Sequence, residues 1–323
     1  MSRWTLAEMG DLHDTVAIVT GANAGLGFAI TTELARAGAT VIAACRNETK
    51  AADAAAAIRD LGVRGSVEVL PLDLADLRSV AAAASAFIAS NRPLHLLVNN
   101  AGLMALDRSQ TVDGFETQFG VNHLGHFALT ADLLPVLTAT PGGRVVTMSS
   151  MGHRAGRVRF DDPMHERRYD RWTPYFQSKL ANLLFTAELH RRLTLTGSTT
   201  LALAAHPGAS RTELGREGGG VTNALMRVAV PLMTQSAAKG AQPALRAATD
   251  PQARGGDLYG PRWMARGDAV RETPSRRARR TDDGERLWTM SEELTGRTVL
   301  PIAADETGHR PPPSVKQARS HNE

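Results

Sequence analysis

Cysteine is almost missing from this sequence, and so is any long apolar run. One cysteine, Cys45, among 323 residues excludes an intrachain disulfide and any cysteine-based zinc cluster. It reads as a small buried apolar residue rather than a reactive thiol. No stretch approaches the ~18 apolar residues that a membrane span needs. Residues 1–14 are polar and interrupted, without the apolar core of a signal peptide. A cytoplasmic protein without a membrane span or a metal site is expected. The net charge of +4 is local: residues 262–280 hold seven arginines against Asp268 and Glu272, which leaves the rest of the chain near −1. A nucleic-acid binder spreads its basic residues over a docking face and adds a recognisable module. Neither is present, so nucleic acid is not expected as a partner. The run Arg276-Arg277-Ala278-Arg279-Arg280 reads as a solvated helix or loop surface. No Pro/Ser-rich linker breaks the chain before about residue 260, so residues 1–304 read as one domain. Residues 305–323, with Pro311-Pro312-Pro313, read as a disordered tail.

What is present is a regular alternation of strand-like and helix-like segments. The 42% hydrophobic content is enough to fill a large core. Strand patterns run over Thr15–Thr20, Thr40–Ala44, Ser66–Leu70, Leu94–Val98, Arg144–Met148 and Thr200–Ala205. Between them, helical patterns cover Gly25–Ala37, Thr49–Leu61, Leu77–Ser90, Phe115–Leu137 and Trp172–Leu195. Such an order predicts an α/β fold: a single-domain, Rossmann-type, doubly wound parallel sheet with helices on both faces.

Three patterns carry chemistry. Thr20-Gly21-Ala22-Asn23-Ala24-Gly25-Leu26-Gly27 lies between the first strand and the first helix. Glycines there permit a tight turn and close approach, and the helix N-terminus offers N–H groups to a pyrophosphate. A glycine-rich loop can be a plain turn; its place between strand and helix points to dinucleotide binding. The second strand ends in Ala44-Cys45-Arg46-Asn47, without the acid that would accept hydrogen bonds from a ribose. Arg46 suits a 2′-phosphate in charge and shape, which favours NADP(H) and leaves NAD(H) possible; the plain alternative is a solvent-facing arginine. Finally, Tyr175 and Lys179 stand four residues apart, about one helical turn, on one helix face. An ammonium beside a phenol stabilises its anion, so the pKa of Tyr175 is expected to fall toward the range useful for proton transfer.

Together these residues resemble the short-chain dehydrogenase/reductase family over about Asp14 to Tyr259. Five features stand in the family's order: the Thr20–Gly27 loop, Asp73-Leu74 after the third strand, Asn99-Asn100-Ala101-Gly102 after the fourth, Ser149-Ser150 after the fifth, and Tyr175/Lys179. The resemblance implies a catalytic set of Asn122, Ser150, Tyr175 and Lys179. It implies a cofactor set of Gly21, Asn23, Gly25, Leu26, Gly27, Arg46, Asp73, Leu74, Asn100, Ala101, Gly102, Tyr175, Lys179, Pro207, Gly208 and Thr212. Asp73 would accept from the adenine amine, its plain alternative being a cap for the helix near Leu77. Asn100 would tie the fourth strand to its neighbours, and Gly102 would clear space for the cofactor. Asn122 would bend its helix and hold a water. Ser150 would hold the substrate oxygen, with Ser149 structural, while Thr212 would bond the carboxamide or simply sit on the surface. Tyr169 has Thr173 where a lysine would be needed and is not the acid.

A longer segment between Ser150 and Tyr175, holding Arg157-Val158-Arg159-Phe160, together with Ser178-Lys179-Leu180-Ala181-Asn182 and His206-Pro207-Gly208, resembles the retinol dehydrogenase and WW-domain oxidoreductase branch. That branch implies a lip over the active site formed by the insert. The N-terminus departs from it in lacking a membrane-anchoring helix. The implied activity is hydride transfer between NADP(H) and an alcohol or carbonyl; Val221, Leu225, Met226 and Val228 suggest a hydrophobic substrate and read equally well as ordinary helix core. Residues 209–234, with Gly218-Gly219-Gly220, read as a mobile substrate loop. Family members commonly build dimers or tetramers, so a homo-oligomer is possible. The alternatives are an NADP-dependent nucleotide-sugar epimerase or dehydratase of the same fold, and a non-catalytic dinucleotide-sensing protein.

Overall fold

The computed structural model describes residues 4–209 and 236–300. Among the described residues eight strands form one sheet in the order β3-β2-β1-β4-β5-β6-β7-β8. They are β1 (Val16–Thr20), β2 (Thr40–Cys45), β3 (Ser66–Pro71), β4 (Leu96–Asn99), β5 (Arg144–Met148), β6 (Leu201–Ala205), β7 (Leu258–Pro261) and β8 (Ala269–Glu272). All neighbours pair in parallel except β7 with β8, which run antiparallel. The doubly wound parallel sheet expected from the alternation is therefore present. Two strands, β7 and β8, extend it beyond the six-strand pattern.

Each central strand is buried on both sides, as a sheet covered by helices on both faces requires. Ala17 and Val19 of β1 point into one cluster and Ile18 into the other; Val146 and Val145 of β5 divide in the same way. The first cluster packs under α1 (Gly25–Arg36), α2 (Glu48–Asp60) and α6 (Ala237–Thr249). The second packs under α3 (Leu77–Ala89), α4 (Gly125–Ala139) and α5 (Thr173–Leu195). Trp288, from α7 (Thr281–Thr295), is buried against that second layer between Phe127 and Phe185. Cys45 sits in the first cluster as a buried free thiol, and burial pushes its pKa up. Order reverses between β1 and β4, which part to neighbours on opposite sides; a crevice opens at such a switch point beyond the strands' carboxyl ends.

One expected helix is not regular. The pattern over Phe115–Leu137 becomes a short turn at Thr117–Phe119, a π turn at Gly120–Leu124 and then α4. Close approach explains it. A Cβ on Gly120 would lie 2.6 Å from Thr111 Cγ2, and one on Gly125 would lie 2.5 Å from the Leu74 carbonyl oxygen. The chain before β1 and the Arg-rich stretch also gain detail. Trp4 and Met9 are buried in the first cluster. Arg277 donates to the Gly156 carbonyl at 2.9 Å and Ala278 is buried, so the arginine run expected to be solvated is anchored at its centre.

The expected lip, the insert between Ser150 and Tyr175, is held down along its length. Val158 packs in a third cluster with Leu180 and Leu184, and Phe160 lies under the Arg286 guanidinium at 4.1 Å. Gln177 of α5 accepts from the Arg159 amide and donates to the Pro163 carbonyl. At its far end Arg171 pairs with Asp107 at 2.6 Å. Among the described residues no helix is long and apolar enough to cross a membrane.

Candidate active site

The turn after β1 is shaped by what its residues lack. Gly21 (φ +65°) and Gly25 (φ +54°) take left-handed backbone that a side chain would strain. A Cβ on Gly27 would lie 2.1 Å from Gly21 O and 2.7 Å from Asn100 Nδ2, so helix α1 can meet the β1 and β4 ends only with glycine there. Ala24 begins α1 without a side-chain cap, which leaves first-turn N–H groups directed at the crevice. Such groups, with the helix dipole behind them, suit an anion.

That crevice has a volume of about 360 Å³. Gly21, Asn23, Gly25, Leu26, Gly27, Arg46, Asp73, Leu74, Asn100, Ala101 and Gly102 all line it. Lys50, Met104 and Val121 line it too and were not singled out from sequence; a lysine in the first turn of α2 or an apolar residue after β4 has no distinguishing pattern. Asp73 accepts from the Ala75 amide at 2.9 Å, while Asp76 caps α3 by accepting from Arg78 N. The capping alternative for Asp73 is thereby excluded. Asn100 Nδ2 donates to the Thr20 carbonyl at 2.8 Å, tying β4 to β1 as expected.

Gly102 belongs to the crevice lining and also borders the catalytic candidates. A Cβ on Gly102 would stand 3.3 Å from both Asn122 Oδ1 and Lys179 Nζ. Tyr175, Lys179, Asn122 and Ser149 are all buried. Ser150 ends β5's extension and its hydroxyl bonds the Tyr175 phenol, while accepting from the Gly152 amide at 3.1 Å. Ser149 Oγ donates to the Lys179 carbonyl at 2.7 Å, a bond that joins β5 to α5 and fits the structural part expected of it. Lys179 Nζ donates to Met148 O at 3.3 Å and lies 5.8 Å from the Tyr175 ring centre.

Burial reverses one expectation. It pushes the Tyr175 phenol up from its ordinary range, and the Ser150 hydrogen bond brings it only part of the way back. Burial also draws the Lys179 ammonium down to about 8. A neighbouring lysine was expected to lower the phenol, but both groups are desolvated, and desolvation disfavours each charged form. The competing phenol, Tyr169, is spoken for. It donates toward Leu106 O and Glu116 Oε1 and accepts from Gln118 Nε2, and burial pushes its pKa up as well.

Asn122 sits in the π turn. Its side chain accepts from Leu103 N at 2.7 Å and donates to Leu103 O and Ser178 Oγ, both at 2.9 Å. Its carbonyl accepts from Asn182 Nδ2 at 3.0 Å. A relay of polar contacts that sequence reasoning did not resolve joins this turn to the crevice. His126 Nδ1 lies 3.1 Å from Asn122 O, and Nε2 lies 2.9 Å from Thr20 Oγ1. Since only a donor can serve the carbonyl, the imidazole carries its proton on Nδ1 and takes the Thr20 hydroxyl proton at Nε2. Thr20 Oγ1 in turn accepts from the amides of Asn100 and Ala101 at 2.9 Å each. Burial holds His126 neutral, its pKa lowered to about 3, and His123 likewise at about 4. Thr20, His126 and Asn182 stood inside the motifs, yet nothing in a single sequence separates such partners from core.

Pro207 and Gly208 follow β6, and the Ser149 amide donates to Ala205 O at 2.7 Å across the two strand ends. Gly208 has φ +66°, and a Cβ there would lie 2.5 Å from Ala265 O. Thr212, the glycine run and the apolar residues 221–228 lie outside the described residues.

Comparison with known proteins agrees with this arrangement. A family model described as short chain dehydrogenase matches residues 15–219. Human retinol dehydrogenase 12 is 44% identical over 285 residues, covering 88% of this chain and 87% of that protein. The crystal structure of an uncharacterised protein from Mycobacterium Paratuberculosis superposes with a TM-score of 0.79 at 43% identity, covering 93% of this chain and all of that one. A structure assigned as an NAD(P)-dependent gluconate 5-dehydrogenase from Beutenbergia cavernae, with NADP bound at low occupancy, superposes at 0.61 with 27% identity over 77% of this chain and 96% of that one. The chain therefore belongs to the short chain dehydrogenase family, in its retinol dehydrogenase-like branch.

Proposed function

We propose that this protein transfers hydride between NADP(H) and an alcohol or carbonyl substrate of hydrophobic character. The observation that carries the reading is the meeting of Gly102, at the end of the glycine-lined crevice, with Lys179 and Asn122, beside the Ser150–Tyr175 hydrogen bond. When bound, the dinucleotide supplies or takes the hydride. Uncapped N–H groups of α1 and the glycine cradle suit its pyrophosphate, and Arg46 suits a 2′-phosphate where no carboxylate stands. The NADP found in the gluconate 5-dehydrogenase structure supports the same choice.

In the reducing direction Tyr175 donates its proton to the carbonyl oxygen, and Ser150 donates a hydrogen bond that steadies charge building there. Burial keeps the phenol protonated but makes it a weaker acid, so its proton transfer leans on a neighbouring cation. Lys179, largely protonated below pH 8, favours the phenolate left behind. Asn122 holds its helix open at the π turn, which places its amide at Leu103 and Ser178 beside the tyrosine. Support for a hydrophobic substrate comes from the name of retinol dehydrogenase 12. Trp172, stacked on Phe176 at 5.9 Å and edge-on to Tyr175, adds apolar surface at the same place.

An NADPH-linked screen across aliphatic, aromatic, steroid and retinoid carbonyls tests the activity. Tyr175→Phe should bind NADPH as the wild type does and lose about 10²–10⁴-fold in turnover. Full activity in that variant would sink the mechanism, and tighter binding of NADH than NADPH by the wild type would refute the cofactor choice.

A further inference from the structure

One carboxylate outside the candidate catalytic set touches both sides of it. Glu272 ends the antiparallel edge strand β8, and its side chain is largely buried. Glu272 Oε1 lies 3.2 Å from His206 Nε2, and Oε2 lies 3.6 Å from Arg154 Nη2. His206 is buried at the end of β6, immediately before Pro207-Gly208, and its Nδ1 accepts from the Gly208 amide at 3.2 Å. With Nδ1 an acceptor, Nε2 carries the proton and donates it to Glu272. Arg154 closes the single 3₁₀ turn that Ser150 opens. Within that turn His153 returns to Ser150, with its amide 3.0 Å and its Nδ1 2.7 Å from the Ser150 carbonyl oxygen.

A second observation shows that the fold keeps room for this contact. Gly260, in the middle of β7, would with a Cβ come within 2.2 Å of His206 Nε2 and 2.3 Å of Glu272 Oε1. Every side chain larger than hydrogen at that position would strike both partners. The strand therefore gives up a side chain at the point where the carboxylate crosses to the imidazole.

We infer that Glu272 is a positioning residue for the proposed hydride-transfer site, one carboxylate that sets the Ser150 turn and the Pro207–Gly208 turn at a fixed separation. It holds the first through Arg154 and the second through His206. The inference rests on the function proposed above, because those two turns flank the substrate oxygen and the nicotinamide end only in that reading. The reason for such a brace is geometric. Reacting groups must be held to within about 0.5 Å, and β5 and β6 end in separate loops that no backbone bond joins beyond Ser149–Ala205 among the described residues. A hydrogen bond from His206 on one carboxylate oxygen and a looser ion pair with Arg154 on the other supply the missing link.

Three variants test the brace. Glu272→Gln keeps an acceptor for His206 and loses the ion pair with Arg154; Glu272→Ala loses both; Gly260→Ala leaves both partners in place and wedges them apart. With NADPH and a carbonyl substrate saturating, Glu272→Ala should lower kcat by about 10- to 100-fold. KM and NADPH affinity should stay close to wild type, and Glu272→Gln should fall between Glu272→Ala and wild type. Gly260→Ala should resemble Glu272→Ala. Arg154→Ala combined with Glu272→Gln should be no worse than the more impaired of the two single variants, since both remove one ion pair. An active wild type whose Glu272→Ala variant keeps its kcat overturns the brace and leaves the proposed function standing. A wild type inert toward every carbonyl defeats the proposed function instead. The brace is then judged from the backbone amide NMR shifts of Gly152 and Gly208, one in each turn: shifts at both in Glu272→Ala support it, and an unchanged shift at either overturns it.

Discussion

In the glycine-lined crevice, chemistry depends on side chains that are missing. A methyl group on Gly27 would meet the Gly21 carbonyl, and one on Gly21 would lie 3.1 Å from Ala101 Cα. The crevice joins the backbone N–H groups of an uncapped helix to polar side chains such as Asn23, Arg46 and Asp73 around it. At the catalytic end, which Gly102 borders, the reverse holds. Asn122, Ser149, Tyr175, Lys179 and Asn182 are all buried and polar, and most of their contacts run between side chain and carbonyl. A crevice built from backbone tolerates little added volume but imposes little desolvation. The catalytic end accepts a desolvation cost on Tyr175 and Lys179, and both pKa shifts record it.

Breaking the catalytic side should have the largest effect on rate. Ser150→Ala removes the hydroxyl that would steady the substrate oxygen, so kcat should fall by about 10²–10³-fold. NADPH affinity, measured by fluorescence titration, should be unchanged, since the crevice is intact. On the other side, Gly27→Val adds volume against backbone that cannot yield. Its stability loss in denaturant should reach the upper part of the usual ~1–3 kcal/mol range for overpacking, with NADPH binding abolished. Arg46→Ala touches the crevice only at its exposed rim. One lost charge-assisted hydrogen bond of about 1.5 kcal/mol corresponds to roughly tenfold weaker NADPH binding, and NADH binding should not change.

The smallest expected change in stability sharpens the contrast most. Lys179→Met should abolish turnover yet raise stability by about 0.5–2 kcal/mol at neutral pH, because a desolvated ammonium gives way to an apolar side chain of similar length. Below pH 8 the folded wild type carries the full cost of a buried charge. Between the folded value of about 8 and the unfolded value of about 10.4, the unfolded chain binds more protons than the folded one. Wild-type stability therefore rises with pH across that window, and the gap to Lys179→Met should close. Melting temperatures of the two proteins at pH 7 and pH 10 check this; a gap that stays constant would contradict it.

Much of the crevice was readable from sequence because its requirements are local. Gly21, Gly25 and Gly27 follow a strand and open a helix, and the conformation they need is set within a few residues. The Tyr175–Lys179 spacing was readable for the same reason. Burial was not, and burial decides the direction of both pKa values. Strands β7 and β8 escaped because each has four residues, with Gly260 and Pro261 in one and Arg271 and Glu272 in the other, so neither shows a strand's apolar run. The π turn escaped because the groups that crowd its glycines, Thr111 against Gly120 and Leu74 against Gly125, are brought there by the fold and carry no local pattern.

That turn also sets how mutable the active site is by insertion or deletion. A helix is a phase clock in which each residue advances the face by about 100°. Gln118 grips the insert before the turn, through Tyr169 and Arg171, and His126 grips Thr20 after it. The π turn holds one residue more than an α turn, its ring closing from the Gly125 amide to the Gly120 carbonyl, so removing one residue of 120–124 would leave an α turn with both grips near their present phase. A one-residue deletion inside the turn can be absorbed as an α turn; one further residue inserted there would put the substrate side and the crevice side of the enzyme out of phase.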